Sequence, residues 1–115
     1  MTQAAIVLVV LTTLGLLAAM SLRANRPFKG ERRLPMQWGL DGSVAWTAPR
    51  AVALAFTPVV AAISLAAVAA LAIFVKPRAG QEDLVGPAVI AVALVFLGAH
   101  ALHLWLIQRA VRRKA

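Results

Sequence analysis

Apolar stretches long enough to cross a membrane occur three times in this chain of 115 residues. Residues 4–22, 51–75 and 84–107 contain no Asp, Glu, Lys or Arg. As helices at 1.5 Å per residue, even the shortest would be about 28 Å long. The pattern predicts an all-α integral membrane protein with a three-transmembrane-helix bundle. Its single domain, 1–115, is predicted to run as span 4–22, a 28-residue motif loop 23–50, span 51–75, short loop 76–83, span 84–107 and basic tail 108–115.

Residue types within these stretches predict how the helices pack. Pro58 has no N–H to donate within its helix, so we expect a bend there. The carbonyl that Pro58 frees would be satisfied by Thr57 or by a neighbouring helix. Small residues also recur at intervals of four, which favours close helix contact. They are Gly15 and Ala19 in the first span, then Ala62, Ala66 and Ala70 in the second.

Composition supports the membrane assignment. With 62% hydrophobic and 14% charged residues, the chain is too apolar for a soluble globule of its size. The net charge is +8, but the basic residues lie between and after the apolar stretches, which is typical of topology determinants and not of a nucleic-acid surface. The expected partners are therefore anionic lipid headgroups and either a protein partner or further copies of the chain, with no nucleic acid.

The distribution of basic residues predicts an orientation. Loop 23–50 has six Lys or Arg residues and tail 108–115 has four, whereas loop 76–83 has two. Because Lys and Arg resist translocation, we expect a multi-pass protein of the bacterial inner membrane, with its N-terminus outside and its C-terminus in the cytoplasm. The positive cluster follows the first span, so we expect a retained anchor and not a cleaved signal peptide.

Residues 34–50, which we call the motif segment, contain residue types that lipid solubility does not explain. Two Trp, two Pro and two Gly residues predict a compact irregular loop or re-entrant lip, with a turn at Asp41-Gly42. We expect Arg50 to pin the second helix to the phosphate layer. The segment suits either a rigid platform for a partner or a structural cap for the bundle. The candidate partner-binding or loop-structuring residues are Pro35, Gln37, Trp38, Asp41, Gly42, Trp46, Pro49 and Arg50.

Polar side chains within the spans form a second candidate site. Counted from the nearest basic boundary, His103, Thr57, His100 and Thr13 lie about 8, 9, 12 and 14 Å deep, so we expect them to share an intramembrane layer. The two histidines could ligate haem or a metal, or relay protons. Alternatively, they are neutral imidazoles that bond to hydroxyls or carbonyls and hold the helices in register. We expect no cofactor, because the chain has no further His or Cys and no carboxylate within the spans.

The motif segment resembles a known family. The order Leu34-Pro35-x-Gln37-Trp38-Gly39-x-x-Gly42, followed by Pro49-Arg50 at the start of a helix, resembles a bacterial membrane domain of unknown function found at the N-terminus of SdpI-like proteins. The resemblance covers about residues 34–60, and the three-span layout extends it. The departures are Gln37, Gly39 and Ala45, where His, Asn and Asp are common in the family.

This resemblance implies a role that composition alone does not predict. Better-known relatives continue into a second membrane half that confers immunity to a secreted killing factor and relays a signal, and these 115 residues do not include that half. Relatives also tend to have basic N-termini, which would place the motif segment outside. The carboxylates of Glu82 and Asp83 have no accompanying nucleophile or zinc pattern, so we expect no enzyme. The expected function is partner recognition or membrane sensing by the interfacial loop, and the alternative is a small accessory structural subunit of a larger membrane complex.

Overall fold

The computed structural model describes residues 1–114, and in these residues it shows three long helices and one two-stranded antiparallel sheet. Ala115, the last residue of the predicted basic tail, lies outside the described residues. A single turn of 3₁₀ helix at Glu82–Leu84 precedes the third long helix. In chain order the elements are α1 (Gln3–Asn25), β1 (Arg33–Trp38), β2 (Val44–Pro49), α2 (Arg50–Phe74) and α3 (Val85–Lys114).

All three predicted spans are confirmed as helices long and apolar enough to cross a membrane. Large apolar side chains such as Leu8, Ile63 and Leu94 are exposed along them, as expected for surfaces that face lipid tails. Thr2 caps α1, because its hydroxyl accepts a hydrogen bond from the Ala5 N–H at 3.0 Å. The protein is therefore built as a multi-pass membrane protein.

The all-α prediction is wrong for the motif segment, which forms a β-hairpin and not an irregular loop. In the hairpin, Arg33 lies opposite Pro49 and Gln37 lies opposite Trp46, with irregular register on either side of Gln37. Pro35 and Pro49 indicated a loop, yet both strands of a two-stranded sheet are edge strands, where proline is tolerated. Alternating apolar residues at 34, 36 and 38 of β1 pack towards the helices, which is the period-two pattern of a half-buried strand.

The hairpin packs against the end of α3, which extends beyond the predicted third span. Residues 108–114, predicted as a tail, continue the helix. Ile107 is completely buried in a cluster with hairpin residues, so one face of the last turns of the apolar stretch packs against the hairpin. This cluster, which we call the hairpin core, consists of Phe28, Leu34, Ala48, Ala53, Leu54 and Ile107.

A second cluster holds the spans together further along the bundle. Val10 and Leu17 of α1 are buried against Ala61 and Leu65 of α2. The small residues that predicted close packing do not form this contact, because Gly15, Ala19, Ala66 and Ala70 are exposed. The buried face of α2 is thus rotated from the predicted one, and the small-residue faces are unpacked within the monomer.

Candidate functional site

A chain of hydrogen bonds connects all three helices below the hairpin. The Ser21 hydroxyl of α1 donates to the Leu54 carbonyl of α2 at 2.7 Å. The same hydroxyl lies 2.8 Å from Nε2 of His100 on α3. Because a hydroxyl has one proton and Ser21 gives it to Leu54, the Ser21 oxygen accepts from a protonated Nε2 of His100. The contact therefore determines which tautomer of His100 is present.

Pro58 explains why the Leu54 carbonyl is free to accept this bond. In an α-helix the carbonyl of residue 54 accepts from the N–H of residue 58, and proline has none. We predicted that Thr57 or a neighbouring helix would satisfy the freed carbonyl, and the structure shows that α1 does so through Ser21. The hydrogen bond from Ser21 thus replaces the bond that α2 lacks at Leu54, and it links α2 to α1.

His100 is the most deeply buried polar residue of this chain of bonds. Its side chain has no exposed surface, and its Nδ1 has no hydrogen-bond partner within residues 1–114. Nε2 of His100 therefore links the helices, whereas Nδ1 is an acceptor without a donor in an apolar environment.

His103 lies one helical turn closer to the C-terminus and contacts the hairpin. Its ring meets Trp38 edge to face, with 6.0 Å between ring centroids and an interplanar angle of 85°. This geometry is favourable for aromatic pairs. Neither of its buried ring nitrogens has a hydrogen bond of good geometry in the described part of the chain. His103 therefore joins the motif segment to α3 mainly through its ring.

The predicted polar layer of Thr13, Thr57, His100 and His103 does not form one hydrogen-bonded group. Thr13 donates to the Val9 carbonyl of its own helix at 2.7 Å, a common back-bond of threonine. His100 bonds to Ser21 and not to a threonine, and Thr57 is half-buried on α2. The depth count failed because α3 extends past the other helices, so its basic boundary is not level with theirs.

Arg50 contacts backbone carbonyls of the protein itself, and its expected contact with the phosphate layer stays a prediction. Its Nη1 donates to the carbonyls of Phe28, Lys29 and Glu31, which belong to the connection between α1 and β1. The backbone N–H of Arg50 also donates to the Arg32 carbonyl at 3.0 Å. Since these are charge-assisted bonds to one part-buried guanidinium, Arg50 fixes the start of α2 against the base of the hairpin.

The hairpin tip, residues 39–43, is organised by Asp41. Its Oδ1 accepts from the Ser43 hydroxyl at 2.7 Å and from the Ser43 N–H at 3.1 Å. The Ser43 hydroxyl, and then its N–H, holds the pKa of Asp41 below its ordinary value. Gly42 has a φ of 85°, and a Cβ on Gly39 would lie 2.9 Å from Asp41 Oδ1. The predicted turn at Asp41-Gly42 is confirmed and requires both glycines.

The outer surface of the hairpin presents apolar side chains to solvent. Trp46 is about half exposed, and its Nε1 donates to Oε1 of Gln37 on the opposite strand. Leu40 at the tip is fully exposed, and Val44 follows it on β2. This bond to Gln37 fixes the orientation of the exposed Trp46 ring.

A groove of about 490 Å³ separates the hairpin tip from the end of α3. Trp38 and Val44 line the hairpin side, and Leu106 lies on the α3 side. Arg109 and Arg113 are one helical turn apart on the same wall. We call this space the tip groove; it combines apolar side chains with two guanidiniums on α3, and Asp41 lines it on the hairpin side.

Within residues 1–114, no group of three or more His, Cys, Asp or Glu side chains could hold a metal ion. His100 and His103 are the residues of the haem or metal alternative. Nε2 of His100 bonds to Ser21, whereas neither ring nitrogen of His103 has a hydrogen bond of good geometry in the described residues. Comparisons of the chain with known protein families, curated proteins and solved structures found no match.

Ser21 and the carbonyls around Arg50 were missed by the sequence reasoning. Ser21 lies within the predicted first span, two residues before Arg23, but it is not among the predicted intramembrane polar residues. The signal that could have identified it is Pro58, which requires a donor for the carbonyl of residue 54. Every residue has a backbone carbonyl, so residue types do not show which carbonyls Arg50 contacts. These contacts could be identified only from the folded structure.

Proposed function

We propose that this chain is a non-enzymatic protein of the bacterial inner membrane, of the SdpI-like N-terminal type, whose hairpin recognises a protein partner. In the proposed orientation, the N-terminus lies outside and the hairpin lies in the cytoplasm. The observation that carries the proposal is the cluster of exposed apolar side chains at the outer end of the hairpin. Leu40 is fully exposed, and Val44 and Trp46 are each a little less than half exposed.

The way the hairpin is attached supports a binding role. Isolated two-stranded hairpins are marginally stable in water, and this one is fixed at three places. Arg50 holds its base, Trp38 packs on His103, and Asp41 organises the tip. A surface held this rigidly loses little conformational freedom when a partner binds, which increases affinity.

The tip groove indicates the chemistry of the partner. An apolar side chain fits between Trp38 and Leu106, and a carboxylate fits against Arg109 or Arg113. Tryptophan and arginine are the residues most often found at binding hot spots. We therefore expect a partner segment that has an apolar anchor next to an acidic residue.

A small accessory subunit of a larger membrane complex is the second candidate. It is favoured by the small residues Gly15 and Ala19 on α1 and Ala66 and Ala70 on α2, which are exposed in the monomer. Small residues at this spacing allow helices of another chain to approach closely. The two functions therefore use different surfaces.

Site-specific photo-crosslinking in native membranes separates these functions. We expect a crosslinker at position 40 or 46 to give a discrete protein adduct, and crosslinkers at positions 19 and 66 to give lipid adducts only. Trp46→Ala should remove the adduct formed at position 40 while far-UV circular dichroism stays unchanged, because Trp46 lies on the hairpin surface. Position 30 provides a control on the same side of the membrane. Protein adducts confined to positions 19 and 66 would instead support the accessory subunit.

A further inference from the structure

Two connected grooves open on the side of the bundle that bears the hairpin, the first between α1 and α3 and the second on α3 alone. The first has a volume of about 460 Å³. Its lower wall is apolar and includes Met20, Ala101 and Leu104, and its polar residues are Arg23 and Gln108. An apolar wall can contact an acyl chain, and a guanidinium beyond it can contact the headgroup of the same lipid.

The second groove, of about 340 Å³, continues from the first, because Trp105 and Gln108 line both. Its other lining residues are Arg109, Arg112 and Arg113. The Cζ atom of Arg109 lies 5.6 Å from the centre of the Trp105 ring, so cation–π attraction holds this guanidinium at the junction. In the part of the chain that the structure describes, no Asp or Glu side chain lines either groove.

The grooves lie at the depth of lipid headgroups. The contact between Ser21 and His100 shows which levels of α1 and α3 face each other. Because these two helices run parallel, Arg23 lies about level with residues 102–103 of α3, at 1.5 Å per residue. Arg23 is also the first charged residue after the apolar part of α1, and Trp105 is half exposed at this level, as interfacial tryptophans are. The first groove thus spans the boundary between tails and headgroups.

The geometry points to a binding site for one anionic phospholipid with two phosphates, a lipid of the cardiolipin class. One phosphate binds at Arg23 and Gln108, and the second binds at Arg109 and Arg112. Acyl chains lie along the apolar wall of the first groove. Two adjoining basic grooves match two linked phosphates. A headgroup with one phosphate would leave the positive charge of the second groove without a bound anion. The site adjoins the tip groove, because Arg109 and Arg113 line both, whereas Arg23 and Arg112 line only the lipid grooves.

Lipid binding to the full chain in detergent, followed by native mass spectrometry, tests the site. Cardiolipin is compared with phosphatidylglycerol at equal phosphate concentration, and we expect cardiolipin to bind more tightly. Arg23→Gln with Arg112→Gln should raise the dissociation constant for cardiolipin about fivefold for each guanidinium lost. Arg26→Gln with Arg32→Gln makes the same charge change at exposed residues that line neither groove, and it should change the constant less than about twofold.

Trp105→Ala provides a variant that keeps every charge and removes the shared wall, and it should also weaken cardiolipin binding. Equal binding of phosphatidylglycerol at matched phosphate would overturn the proposal. Equal weakening of cardiolipin binding by the Arg23/Arg112 and Arg26/Arg32 double substitutions would also overturn it. That result would show attraction to the overall positive charge and not binding at a site. Displacement of the lipid by millimolar pyrophosphate would identify a site for soluble phosphate, and displacement by an acidic peptide would identify a protein surface; either result rejects the lipid. The Arg23 and Arg112 substitutions leave the lining of the tip groove unchanged, so crosslinking at position 40 or 46 in this double variant tests the hairpin proposal independently.

Discussion

The hydroxyl of Ser21 donates to the carbonyl of Leu54, at 2.7 Å, where Pro58 has removed the donor within α2. One serine thus completes the hydrogen bonding of a neighbouring helix and also accepts a bond from His100. In lipid no water is present to replace it, so the contact between α1 and α2 depends on this residue.

Ser21→Ala should lower the free energy of unfolding by about 1 kcal/mol, the usual value for a polar contact between membrane helices. Restoring the missing donor with Pro58→Ala should reduce this loss, because Leu54 then accepts a bond within its own helix. The measurement is a double-mutant cycle of unfolding in mixed micelles.

Thr13→Val is the matched control for this cycle. Thr13 is equally apolar in its surroundings, but its hydroxyl donates within its own helix, so its loss should cost less than Ser21→Ala. Equal costs of Ser21→Ala with and without Pro58 would contradict the assigned role of Ser21 on Leu54.

Arg50→Gln should loosen the base of the hairpin without unfolding the spans. The guanidinium donates to three carbonyls of the connection between α1 and β1, and bonds of this charged type contribute about 2 kcal/mol. Hydrogen exchange of the backbone amides in residues 26–49 should accelerate, while exchange in α2 stays slow.

The control for Arg50 is Arg33→Gln, because Arg33 bonds to Thr47 on the exposed side of the hairpin. Its loss should affect exchange near Thr47 and leave the base protected. If Arg50→Gln left all exchange rates unchanged but weakened association with anionic vesicles, the original expectation of a contact with the phosphate layer would be correct.

The hairpin tip should become less ordered in acid. Hydrogen bonds from Ser43 lower the pKa of Asp41 from 3.8, so the ionised carboxylate is favoured in the folded state. Its stabilising effect is fully present above pH 3.8 and is lost as the pH falls through the lower pKa of the folded state. The Ser43 amide resonance should shift with this transition, which Asp41→Asn should abolish. A Ser43 shift centred above pH 3.8 would contradict the assignment.

The membrane spans could be predicted because lipid solubility acts on whole stretches of sequence, and all three stretches are helical. The hairpin could not, because Pro35, Gly39 and Gly42 indicate a loop in isolation. The strand conformation of residues 33–38 and 44–49 depends on packing of Leu34 and Ala48 against Ile107, which is more than 50 residues away in the chain.

The candidate site was predicted in part for a similar reason. The turn at Asp41 follows from local chemistry and is confirmed. The partners of His100 and Arg50 depend on how far α3 extends beside the hairpin, and that level is not encoded in any one segment. Depth counted separately on each helix therefore grouped Thr13 and Thr57 with His100, although His100 bonds to Ser21.

Single cysteines should report the orientation of the chain, which has no native cysteine to interfere. Gly30→Cys is suitable because nothing lies within 4 Å of a Cβ at this position. For loop 76–83 the exposed Ala79→Cys is better than a change at Gly80, whose φ of 84° would strain a side chain. From the excess of basic residues beside the hairpin, membrane-impermeant maleimide should label position 79 in intact spheroplasts and position 30 only after lysis. The reverse pattern would place the hairpin outside, as in relatives with basic N-termini, and the partner would then have to be sought outside the cell.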